Sequence, residues 1–310
     1  MPDQSDSPGE QPQISEEELV RSLAEVERGG IPLSAQRRLR ELAEHGGLFT
    51  SDLSVADFAL CHRQGLRPLS QVMGSSIYQV GYQSTPWPTM MGGSFMYELD
   101  ALSGAWNEVR GRALGRLEQE AALVGADAVV GVQLNTGAHD WAENSIEYIV
   151  LGTAVRHPER SREANTSGRA VLTELSVADY SKLLGAGFQP AGIVAWSSIF
   201  FVAASPETQM MSGLVGQLGF PENQELREFT QGVYEARETV VQRMTAQAVQ
   251  LGASGVVGTR INHTIGRVSM GGGRYQRGGL MVSFHAIGTA IRQVQEAQLY
   301  PPEMTIDLTT

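Results

Sequence analysis

The pattern of apolar and polar positions writes one unit twice. In LGRLEQEAALVGADAVVGVQLN, residues 114–135, Leu114, Leu117, Ala121 and Val124 recur at spacings of three and four and so share one helical face. Gly125 follows, where a left-handed residue would end the helix, and Ala128, Val130, Val132 and Leu134 then alternate as strand residues do. The same text returns as VQRMTAQAVQLGASGVVGTRIN, residues 241–262. There Val241, Met244, Ala248 and Leu251 keep the helical spacing, Gly252 takes the stop, and Val257, Thr259 and Ile261 alternate. Upstream, LSVADF at 53–58 matches LSVADY at 175–180, and in each a Ser followed three residues later by Asp marks a helix N-terminus. These short helices end at Gly65 and Gly187, and Pro68 and Pro190 block their continuation. Strands follow at 72–80 and 194–202, and a last strand closes each copy at 146–155 and 280–291. Each unit reads as short helix, strand, long helix, strand, strand.

Two leader helices precede the first copy. Ser15 with Glu18 forms a capping box ahead of the first, which Gly29-Gly30 closes; Ser34 caps the second, with Gly46-Gly47 as its stop. Leu19, Leu23 and Val26 share one face, as do Leu39 and Leu42, so both helices are expected to cover the domain or recruit a partner. The resulting map is a polar, disordered stretch at 1–14, leader helices at 15–47, a first domain at 48–156, a polar linker at 157–169, a second domain at 170–293 and a tail at 294–310. The fold class is α+β. A lone three-stranded sheet under one helix leaves a face and its edges bare, which predicts assembly beyond the monomer.

Composition narrows the partners. The formal net charge of −11 repels phosphate backbones and anionic lipid, and Arg37, Arg38 and Arg40 share their segment with Glu41 and Glu44, so neither nucleic acid nor membrane is expected to bind. Cys61 is the single cysteine, which excludes an intrachain disulfide and a cysteine cluster for metal. The first residues carry no apolar core of a signal peptide and no run approaches a membrane span, so a soluble, cytoplasmic protein is the expectation.

The stretch Ala122-Leu123-Val124-Gly125-Ala126-Asp127-Ala128-Val129-Val130-Gly131-Val132, with Gly152-Thr153-Ala154-Val155, resembles the YbjQ-like family of small bacterial domains, which carries a heavy-metal-binding label. In the second copy the resemblance rests on Tyr234-Glu235-Ala236-Arg237-Glu238, Gln250-Leu251-Gly252-Ala253, Val256-Val257-Gly258 and Gly288-Thr289-Ala290. It covers roughly residues 66–156 and 188–292. It implies two tandem dodecin-subunit-like β-α-β-β domains, each an antiparallel sheet under one long helix, and homo-oligomeric rings, commonly pentamers. The duplication, the leader helices and the inserts depart from the single-domain pattern, so ring size does not carry over. Ser254 stands in the second copy where the first has Asp127, so no role resting on that carboxylate is common to both.

Chemistry is sparse. Of the histidines His45, His62, His139, His157, His263 and His285, none forms a His-x-His or His-x3-His pair. The best candidate for a divalent metal is His139-Asp140 with Glu143, in the first hairpin, where a solvated polar turn is the plainer reading. His285 is read as a satisfied, partly buried residue of the last strand. Met90-Met91 and Met210-Met211 suit an apolar interface better than Cu(I). Ser75-Ser76 and Ser197-Ser198 are repeated, but no repeated histidine lies near them in sequence to serve as a base. With Asn135 and Asn262 they are candidates for ligand or interface contacts. The loop GGGRYQRGG at 271–279 lacks the Lys and helix of a phosphate-binding loop. Glu108 and Arg110 recur as Glu235 and Arg237, two apart and therefore on different helical faces, which suits intersubunit contacts. The expectation is a non-enzymatic, ring-forming binding or scaffold protein that associates with itself and takes a small-molecule or protein ligand, with no cofactor. Heavy-metal binding is the alternative and an enzyme the third reading.

Overall fold

A computed structural model describes residues 15–81, 96–137, 145–157, 169–204, 225–270 and 277–294. The stretches expected to be disordered at 1–14, most of the linker and of the tail, both Met pairs and most of the glycine-rich insert lie outside them.

The leader helices are α1 (Glu16–Glu27) and α2 (Leu33–His45). Ser15 caps α1 by accepting from the Glu18 N–H at 3.2 Å. Ser34 does not cap α2: it lies inside the first turn, and Pro32 stands at the cap position with no side-chain bond. The free N–H at that start, of Leu33, donates instead to Ser22 Oγ of α1 at 3.2 Å. Ile31 and Leu39 are buried in the first core, whereas Leu19 and Leu23 of α1 are exposed, so only part of the expected covering face is used.

The first domain continues with α3 (Val55–Arg63), β1 (Arg67–Gln79), β2 (Met96–Glu98), α4 (Asp100–Leu123), β3 (Ala128–Gly137) and β4 (Ser145–Arg156). The second follows with β5 (Val171–Leu172), α5 (Val177–Gly185), β6 (Phe188–Ala203), α6 (Arg227–Gln250), β7 (Gly255–Met270) and β8 (Arg277–Gln293). Ser54 and Ser176 cap α3 and α5 through the Asp57 and Asp179 amides, at 3.0 and 3.1 Å. Gly125 and Gly252 follow the long helices with φ of +67° and +65°, as their place in the repeat required. The buried stripes run Val109, Ala113, Leu117, Ala121 on α4 and Ala236, Val240, Met244, Ala248 on α6. Spacing of four keeps each stripe under its sheet. Val241 therefore falls to the flank and Leu251 is exposed, against the expected face.

Two mixed α+β halves result, and they exchange edges. The first sheet runs β1-β4-β3-β5 and the second β2-β6-β8-β7. Their three long strands pair antiparallel, with a register shift at Val130/Gln133 in one and Val257/Arg260 in the other. β5, from the second half of the chain, adds parallel to β3 of the first sheet; β2, from the first half, adds antiparallel to β6 of the second. The helix α6 packs on one side of the second sheet, while α4 packs on β1 and β4 of its own sheet and also on β6. The layers are therefore α6, second sheet, α4, first sheet.

Candidate functional site

Polar side chains converge at the seam between the halves. The N-terminal part of α4 runs along the edge of β6 and satisfies that strand's backbone as a neighbouring strand would. The Leu99 N–H donates to the Ile199 carbonyl at 2.7 Å, and the Ile199 N–H donates to Ser103 Oγ at 2.9 Å. The Asn107 amide donates to the Ser197 carbonyl at 2.8 Å and accepts from the Ser197 N–H at 2.9 Å. Arg110 donates to the Ala195 carbonyl at 2.8 Å and, through its other terminal nitrogen, to Ser197 Oγ at 2.9 Å. On the other flank of β6, the Ala195 N–H donates to Gln247 of α6 at 3.0 Å, just as the Met73 N–H of β1 donates to Glu120 of α4 at 2.8 Å.

Ser197 also meets His285. The register of β6 and β8 sets the two residues opposite each other, with Nδ1 2.9 Å from Ser197 Oγ and the ring 4.6 Å from that of Trp106. The hydroxyl oxygen accepts from Arg110 and is joined to Nδ1 by a second hydrogen bond whose direction follows the imidazole tautomer. Burial, reinforced by the Arg110 charge, pulls the imidazole down from 6.5 to about 4. Burial likewise lowers the Arg110 guanidinium, opposed by Tyr148.

Sequence reasoning missed this Ser–His contact, because the residues are far apart in the chain and the first copy has no counterpart to it. There Ser75 faces Ile149. Superposing the two last strands through Gly152-Thr153 and Gly288-Thr289 sets His285 at the place of Ile149, and the register that pairs Ile149 with Ser75 then sets it opposite Ser197. As a nucleophile and base the pair is poorly suited: Ser197 is fully buried, and the adjacent cation opposes the imidazolium a base must become.

Beside this cluster a cleft of about 1320 Å³ opens between the inner face of the first sheet and the facing side of the second. Trp106, Leu102, Ile146 and Ile287 supply apolar wall, while Thr136 on one side and Asn262 and Thr264 on the other supply polar groups; Asn135 touches the cleft from the strand edge, its register setting it on the outer face with Ser75. Glu174 and Arg260 also line it, joined by a 2.8 Å ion pair. The Glu174 side chain is buried, which raises its carboxyl, and its Oε1 has no hydrogen-bond partner among the described residues. A concave, largely apolar space with a few converging polar groups is the usual form of a small-molecule site.

The candidates separate on this geometry. Asn135, Asn262 and, through His285, Ser197 are at the cleft. Ser198 is buried on the opposite side of β6 and donates to Glu98 of β2. Ser76 is buried, and Ser75 lies half-exposed on the outer face of the first sheet. His139, Asp140 and Glu143 lie outside the described residues. Among the described residues, no three His, Cys, Asp or Glu side chains group as cation ligands. Among them too, no helix is long and apolar enough to cross a membrane.

Comparison with known proteins agrees with the repeat. A curated relative, described as an encapsulin nanocompartment protein of Mycobacterium tuberculosis (strain ATCC 25618 / H37Rv), is 35% identical over 263 residues, 84% of this chain and 92% of its own length. No solved structure matches. The model of the YbjQ family, described as "Putative heavy-metal-binding", matches residues 87–157 and again 208–293. On that match this chain belongs to the YbjQ-like family and carries two tandem copies of its domain.

Proposed function

We propose that this chain is a non-enzymatic binding or scaffold protein that works as an oligomer in the cytoplasm and holds a small molecule in the cleft between its sheets. Its two dodecin-subunit-like domains serve as wall and support. The observation that carries the reading is the cleft itself: about 1320 Å³, apolar at Trp106 and Ile287, with Thr136 of the first copy and Asn262 of the second among its polar lining. The unpartnered Glu174 Oε1 favours a ligand that brings a hydrogen-bond donor. The self-association draws support from the relative, whose name ties that protein to an encapsulin nanocompartment. By that likeness we infer that this chain too belongs to a self-assembled protein body, as one of its structural or guest components.

The second reading, favoured by the family description, is heavy-metal binding, with His139, Asp140 and Glu143 as its candidate ligands. Native mass spectrometry of untagged protein taken gently from cells, together with its zinc, copper and nickel content, separates the two. The proposal expects an oligomer retaining a small molecule that Asn262→Ala releases, and metal well below one ion per chain. One tightly held ion per chain, lost on His139→Ala, would replace it with the metal reading.

A further inference from the structure

The two copies share one fold, but their surfaces are buried to opposite extents. Val177 at the start of α5 is fully buried against Ala128, Val130 and Val155 of the first sheet. Its counterpart Val55 at the start of α3 is 86% exposed. On the strands, Ile199 of β6 is 1% exposed under α4, whereas its counterpart Ile77 of β1 is 54% exposed. Ala170, just ahead of β5, is 5% exposed; Leu48 at the same place in the first copy is 94% exposed. The pattern extends to the helices: Arg110 of α4 is buried on β6, while Arg237, at its place on α6, is exposed.

These differences have one geometric source. Within the chain the first domain lends α4 and β2 to the second sheet and receives β5 at the edge of β3. The donor helix α4 has its copy in α6, and the surfaces that receive α4 and β5 have their copies at β1 and β7; at β1 the Ser75 carbonyl accepts from Arg116 of the same domain, which also holds the Val26 and Gly30 carbonyls. The β7 edge, counterpart of β3, ends the second sheet. The outer face of β1, with Met73, Ser75 and Ile77, matches the Ala195, Ser197 and Ile199 face that α4 covers.

We propose that a second copy of this chain occupies these surfaces, its second domain docking on the first domain of its neighbour by the same geometry that joins the two halves of one chain. This rests on the self-association proposed above and gives it a specific interface. In it, Arg237 of one copy reaches Ser75 and the Met73 carbonyl of the next, as Arg110 reaches Ser197 and the Ala195 carbonyl. Residues 49 and 50 of that next copy add as a strand to β7, as Val171 and Leu172 add to β3. Val55 is covered by Val257 as Val177 is by Val130. The contact is heterologous, donor surface on receiver surface, so it propagates from chain to chain until it closes on itself.

The full chain is tested in solution. Light scattering at micromolar concentration is expected to give several times the 33.5 kDa of one chain for the unaltered protein. Val55→Asp and Ile77→Asp, made separately at positions exposed in the single chain, are each expected to reduce it to one chain with unchanged circular dichroism. Because Leu172 pairs with Val129 in the chain, Thr50→Cys protein mixed with Val256→Cys protein is expected to form a reducible covalent dimer under mild oxidation. A monomeric unaltered protein would overturn self-association as a whole. An oligomer that survives both substitutions and forms no cross-link would overturn this interface while leaving self-association standing.

Discussion

His285 and Arg110 set the behaviour of the seam. The imidazole titrates at 6.5 when unperturbed and at about 4 in the fold, so the native state refuses a proton that the unfolded chain accepts. Its contribution to stability is complete above pH 6.5 and is lost as pH falls towards 4. His285→Gln removes the titration while keeping a partner for Ser197. Its melting temperature is expected to fall less between pH 7 and pH 4.5 than that of the unaltered protein; equal slopes would show that His285 does not govern the acid limb. Glu174 carries the opposite sign, because its raised carboxyl favours the fold below the unfolded value and loses that contribution as pH rises through the folded one. Arg110→Ala strips donors from the buried Ser197 hydroxyl and the Ala195 carbonyl, and by the usual worth of charged hydrogen bonds it should cost about 3 kcal/mol in denaturant unfolding. A loss under about 1 kcal/mol would mean that the halves are held elsewhere. None of this could be read from the local sequence: Arg110 was placed on the correct element, but its partners come from a strand more than eighty residues on.

At the scale of elements, the repeat told most. The short helix, strand, long helix and two further strands of each copy were legible from periodicity and from the Ser–Asp caps, because those signals are local. The edge exchanges were not. β2 and β5 are too short to show alternation, and what fixes them is a neighbouring edge that only the folded chain supplies. The same holds for α2, whose start is set by Pro32 instead of the expected Ser34, and for the helical stripes, which tertiary packing rotates slightly from the apolar count. The exchange makes α5 part of the first core. Val177→Ala is therefore expected to lower stability by roughly 2 kcal/mol, whereas Val55→Ala at the matching position of α3 should leave unfolding of the isolated chain within about 0.5 kcal/mol of the unaltered value. Paired urea titrations at low protein concentration decide it. Equal losses would mean that α3 and α5 are equivalent supports.

For the whole molecule, the duplication accounts for what one copy could not do. A three-stranded sheet under a single helix has a bare face, and here α4 covers the β6 side of that face in the second sheet while β5 closes an edge of the first. The family was recognisable from the Gly-Ala-Asp and Gly-Thr-Ala-Val texts, and two copies were countable. The cleft was not foreseeable, because its walls come from strands of both halves and its lining from side chains that look unremarkable one at a time. Asn135 and Asn262 stood out only as a repeated pair.

The tether between the halves also constrains arithmetic. Because each chain delivers its domains in pairs, a closed ring made of whole chains would contain an even number of them, and a ring of five domains is unavailable. The rotational symmetry of such a ring would relate chains and not domains, so successive positions around it would alternate between Asp127 and Ser254, and between Ile149 and His285. A uniform band of identical residues, the simplest gift of a one-domain ring, is thereby exchanged for two interleaved sets that can diverge independently.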